Sequence, residues 1–74
     1  TDYLVEETPS PDMDYASALV LAMQAEKTAF RLYSDLAAAA GDAELRALFQ
    51  GLAQEEAKHK LRFEIEYDDN LKEN

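Results

Sequence analysis

Glu56 and His59 lie three residues apart, one helical turn, and Glu26 stands well upstream of them. Two carboxylates and one imidazole form a mixed oxygen and nitrogen donor set. Such a set suits iron or manganese better than calcium, which prefers oxygen alone. Two glutamates also balance the charge of one divalent ion, and a neutral His59 adds a ligand without adding charge. What makes these residues conspicuous is their surroundings. Stepping by four and three from Tyr15 gives Leu19, Ala22, Glu26, Ala29, Tyr33, Leu36 and Ala40, an apolar seam interrupted once, at Glu26. The same steps from Leu45 give Phe49, Leu52, Glu56, His59, Phe63 and Glu66, interrupted at Glu56 and His59. A carboxylate buried without a partner destabilises a fold by several kcal/mol or takes up a proton. Lys27 and Lys60 flank the interruption one position off the seam, from which they can extend to solvent. Glu55 competes with Glu56 for the same role, but it falls off the seam, so Glu56 is preferred. Glu64 and the acids from Glu66 to Asp69 are expected to form a solvated face.

These residues need two helices to position them. Asp14 is a good N-cap for a first helix, expected at about 14–40 and ended by Gly41. Asp42 can cap a second helix at once, expected at about 42–69, with Glu44 favourable in its first turn. Gly51 should weaken this helix without breaking it. So short a connection makes the helices antiparallel neighbours. Glu26 and Glu56 each lie 15 residues from Gly41, one before it and one after. At 1.5 Å per residue both sit roughly 22 Å from the turn, at one level of the hairpin. Residues 1–13, with Pro9 and Pro11, read as an extended arm that Tyr3, Leu4 and Val5 can anchor to a neighbouring surface. Residues 14–74 form the hairpin.

The chain has 74 residues and no cysteine. So small a domain normally needs disulfides, a metal or a partner chain, and disulfides are excluded. An iron–sulfur centre within this chain is excluded on the same ground, and a cytoplasmic setting fits. A formal net charge of -9 argues against nucleic acid and against anionic membrane surfaces as partners. No apolar run is long enough to span a membrane, and no signal peptide is visible. A lone hairpin would leave its seam facing water. It would also expose much of Leu21, Ala25 and Leu32 on one flank and of Val20, Met23 and Phe30 on the other, with Leu61 and Ile65 on the second helix. The expected fold is therefore all-α: a hairpin that dimerises, or assembles further, into a four-helix bundle. Two copies would supply one glutamate from each of two helices and a Glu-x-x-His from each of the others, the ligand pattern of di-iron carboxylate bundles.

The stretch Ala22-Met23-Gln24-Ala25-Glu26-Lys27-Thr28-Ala29-Phe30-Arg31-Leu32-Tyr33 resembles a metal-bearing helix of rubrerythrins and other ferritin-like proteins. Leu52-Ala53-Gln54-Glu55-Glu56-Ala57-Lys58-His59 resembles its partner helix. The resemblance runs from about Tyr15 to Tyr67. It implies Glu26, Glu56 and His59 as metal ligands, and Tyr33 as a tyrosine that hydrogen-bonds a ligand. It implies iron, two ions per dimer, with manganese or zinc as alternatives, and a ferroxidase or peroxidase-type oxidoreductase activity. Most rubrerythrin-like domains carry four helices in one chain, whereas two are expected here. The chain is thus also similar to the half-sized ferritins that dimerise around iron and travel as cargo of encapsulin shells. Met23 stands where many rubrerythrins have an extra glutamate, and no rubredoxin domain accompanies it. The competing expectation is a metal-free hairpin that serves as an assembly module, with protonated His59 paired to Glu26 or Glu56.

Overall fold

A computed structural model describes Pro9 and residues 12–73. Two helices make up the described residues: α1, Tyr15–Ala39, and α2, Ala43–Glu73. They pack on each other as a hairpin, and no strand occurs among the described residues. The arm expected at residues 1–13 lies largely outside the described residues, as do Tyr3, Leu4 and Val5.

Each helix begins on an aspartate. The Asp14 carboxylate accepts from the Ser17 backbone N–H at 2.8 Å, and that bond holds its acid below the ordinary range. The Asp42 carboxylate accepts from the Leu45 N–H at 2.8 Å in the same way. The end of α1 differs from expectation. Gly41 does not adopt the left-handed conformation of a glycine C-cap, since no glycine has a positive φ. The chain leaves the helix one residue earlier, at Ala40, where ψ swings to 134 while φ stays at -66. Any residue can make that change, so no glycine is needed for it. The Ala40 N–H donates to the Ala37 carbonyl at 3.3 Å. The Arg46 guanidinium donates to the Ala40 carbonyl at 3.2 Å, which satisfies an acceptor the ended helix would leave orphaned.

α2 also runs past Asp69 to Glu73. Asn70, Leu71 and Lys72 include no glycine or proline to stop it, and Lys72 in the last turn suits the helix dipole. Gly51 lies inside α2 and faces open space, with nothing within 4 Å of where a Cβ would stand.

A two-helix layer encloses little. Leu19, Leu21, Ala37, Ala40 and Ala53 are the buried apolar residues, and no large side chain is fully buried. Tyr15, Leu36, Leu45 and Leu48, all on the side of the hairpin that carries the seam, are exposed. The core is therefore thin at the contact of α1 with α2, and apolar surface is left open both on the seam face and off it, at Phe30, Leu61 and Ile65.

Candidate metal centre

The hairpin brings Glu26 of α1 to the level of Glu56 and His59 of α2. His59 Nδ1 lies 3.6 Å from Glu26 Oε2 and 4.0 Å from Glu56 Oε2. One donor atom from each of the three residues can be chosen so that all lie within 4.8 Å of one another. The local reason is phase. Seven residues, two turns, separate Glu26 from both Leu19 and Tyr33, so Glu26 shares the side of α1 that meets α2. Tyr33 marks that side directly, because its ring stacks on Phe49 with centroids 6.5 Å apart and planes 18° from parallel.

The electrostatics follow from unequal burial of the three groups. Glu26 and Glu56 side chains are only 18% and 21% exposed, whereas His59 is 51% exposed. Glu26 Oε2 is buried and accepts no hydrogen bond, an arrangement that normally has a specific cause. Burial, and then the neighbouring Glu56 carboxylate, push the Glu26 acid up to about 7, against a lowering pull from His59. Two lysines of α2 near the cluster are engaged elsewhere. Lys60 Nζ sits 2.6 Å from Glu64, and Lys58 Nζ sits 3.2 Å from Glu55. Glu55 therefore points to a lysine on the outside of α2, and it is Glu56 that joins Glu26 and His59. A divalent cation fits the three: it would give the orphaned Glu26 oxygen a partner, offset the two carboxylates and use the imidazole nitrogen.

Tyr33 is brought to the same face but not to the cluster. No hydrogen bond links its hydroxyl to Glu26, Glu56 or His59 within this chain. A different tyrosine contacts a carboxylate on the seam. The Tyr15 hydroxyl donates to Glu66 Oε2 at 3.2 Å. Partial desolvation, and then Glu66, hold the Tyr15 phenol above its ordinary range. Sequence reasoning missed this pair, although a signal was available. Tyr15 lies 26 residues before Gly41 and Glu66 lies 25 after it, so both sit at one level near the open end. His59, Arg62, Phe63 and Glu66 line an open cleft of ≈ 220 Å³ between this pair and the cluster.

The family model described as Rubrerythrin matches residues 5–67. No curated protein and no solved structure gives a significant match. Among the described residues, no helix is long and apolar enough to cross a membrane.

Proposed function

The chain belongs to the rubrerythrin family, and from that premise we propose that it is a non-haem di-iron carboxylate protein whose two irons are held where two hairpins meet. One observation carries the reading: donor atoms of Glu26, Glu56 and His59 converge within 4.8 Å of one another, with a buried Glu26 oxygen that has no partner. Glu26 and Glu56 would hold the metal through oxygen and His59 through nitrogen. A second copy supplies the same three residues, so four carboxylates would balance two divalent ions. A pair of ferrous ions supplies the two electrons that take dioxygen to hydrogen peroxide, or peroxide to water, with two protons consumed in either case.

The chain's own residues prepare that site. Burial keeps water from competing at Glu26, and Glu56 and His59, one turn apart on a single helix, are held in fixed relation by the helix itself. Tyr33 is proposed to orient a carboxylate once the second copy is in place. The seam face supports the dimer, since Tyr15, Leu36, Leu45 and Leu48 stay exposed on a lone hairpin. Enclosure in an encapsulin shell belongs to the same reading and is tested by co-purification with a shell protein.

One observation favours the metal-free alternative. His59 stands close enough to both carboxylates to pair with them when protonated. Ferrous iron titrated into the purified protein separates the readings. The di-iron reading expects saturable binding that is lost in Glu56→Ala, and the assembly-module reading expects none.

A further inference from the structure

An open groove follows the α1–α2 contact on the side away from His59. Its two stretches, of ≈ 540 and ≈ 370 Å³, meet at Phe30 and have Ala53 and Ala57 on the α2 wall. Helical phase separates this groove from the metal face. Ala53 and Ala57 lie about 60° and 100° to one side of Glu56, and His59 lies about 60° to the other. Stepping on from Ala57 by three and four reaches Lys60 and Glu64, and seven further residues reach Leu71. Ala53, Lys60, Glu64 and Leu71 fall within about 40° of one another and form a second stripe beside the seam. Phe30 and Leu71 are exposed, and the side chains of Lys60 and Glu64 are both open to solvent.

This stripe is complementary to an antiparallel copy of itself. Lys60 and Glu64 stand two residues on either side of Arg62, and Ala53 and Leu71 stand nine on either side. A two-fold axis crossing α2 at Arg62 therefore sets Lys60 of each copy opposite Glu64 of the other. The same axis seats Leu71 of each copy over Ala53 of the other. Phe30 is at hand there, because Phe30 and Leu52 each lie 11 residues from Gly41, so Phe30 shares the level of Ala53 to within a residue. Leu61, one residue from the axis, approaches Leu61 of the second copy. Moving the axis by one residue shifts the facing partners by two, and both matches are lost. We propose that this groove face is a second interface between copies of the chain, with its two-fold axis at Arg62 and separate from the metal-bearing seam. Charge complementarity selects the occupant. The stripe offers one cation and one anion in the reciprocal positions that its own copy needs, whereas a purely acidic partner would meet Glu64 and a purely basic one Lys60. The Lys60–Glu64 pair, 2.6 Å apart within one chain, becomes one side of a ring of four alternating charges. The contact is small, so it joins copies only well above micromolar concentration, in addition to the seam.

Cysteine is absent from the chain, so a single introduced thiol reports on one place. A short bis-maleimide is applied to Leu61→Cys and to Ala47→Cys, an exposed reference on α2, at about 1 mM protein, where a weak contact is populated. Ala47 lies 15 residues from Arg62, so across the axis its two copies stand about 45 Å apart. Leu61→Cys should cross-link to its own copy roughly tenfold faster than Ala47→Cys. Adding Lys60→Glu, or separately Glu64→Lys, sets like charges opposite one another and should lower the rate to that of the reference. Mixing these two charge-reversed chains restores opposite charges at both positions. The mixture should return to within about threefold of the fast rate, which no change inside one hairpin could achieve, with helical content by circular dichroism unchanged throughout. Equal rates for Leu61→Cys and Ala47→Cys would overturn the proposal. So would charge-reversed chains that cross-link as fast as their parent, or a mixture as slow as either chain alone. Leu61 is turned about 140° from Glu56 and so faces away from the seam. Failure of this contact and failure of the seam dimer are therefore seen separately.

Discussion

At the scale of single residues, the account rests on Glu26. Its acid stands at about 7 in the folded chain, against an ordinary 4.5. Glu56 and His59 are the titratable groups that face it from α2. A raised carboxyl pKa means that the folded state binds the proton more tightly than the unfolded state. Between about 4.5 and about 7 the metal-free fold must therefore lose stability as pH rises, on the order of 1–3 kcal/mol in all. Thermal unfolding in chelator should show a higher midpoint at pH 5 than at pH 7.5. Glu26→Gln should flatten that difference, which isolates Glu26 from the general relief of negative charge in acid. A wild type more stable at pH 7.5 in chelator would contradict this. A metal takes the place of the proton, so affinity for ferrous iron should rise with pH through the same window. His59 behaves differently because half of its side chain is exposed and it adds little packing. His59→Ala should change metal-free stability by less than about 0.5 kcal/mol while removing metal binding, read by unfolding with and without ferrous iron.

At the scale of elements, the two helices were legible in the sequence because their caps and periodicity agree. Asp14 and Asp42 announce both starts, and the interrupted seams announce the facing sides. Equal distances of Glu26 and Glu56 from Gly41 set their common level in the hairpin. Three features were not legible, each for a physical reason. Gly41 looked like a left-handed cap, but a ψ change at Ala40 and a hydrogen bond from Arg46 end α1 without one. The last turn of α2 rests on the absence of a stop signal, and sequence marks a stop more clearly than its lack. The spacing of Tyr15 and Glu66 from Gly41 gives their common level, but the bond between them depends further on side-chain reach across two helices. Two substitutions test this level. Gly51→Ala should stabilise the hairpin by about 0.5–1 kcal/mol, because its added methyl meets nothing and the unfolded chain loses freedom. Asp42→Ala should destabilise it by about 1 kcal/mol through the lost Leu45 N–H bond. Urea unfolding measures both, and a destabilised Gly51→Ala would mean that a second backbone approaches there.

At the scale of the whole molecule, the hairpin has a thin core, and the proposed assembly covers the face that carries the site. Leu48 is exposed on that face, so Leu48→Asp should leave the hairpin folded yet prevent dimerisation. Sedimentation should then show a monomer where the wild type gives a dimer or larger, and a wild-type monomer at micromolar concentration with metal present would refute the assembly. Metal that binds only the folded assembly should add about 2.7 kcal/mol at one hundred times its Kd. The most direct measurement of the central claim is an anaerobic ferrous titration of the purified protein, with wild type compared against Glu26→Ala, Glu56→Ala and His59→Ala. The account predicts saturation at one iron per chain in the wild type, lost in all three variants while their helical content persists. Absence of saturable binding in the wild type, or the same stoichiometry in all four proteins, would contradict it.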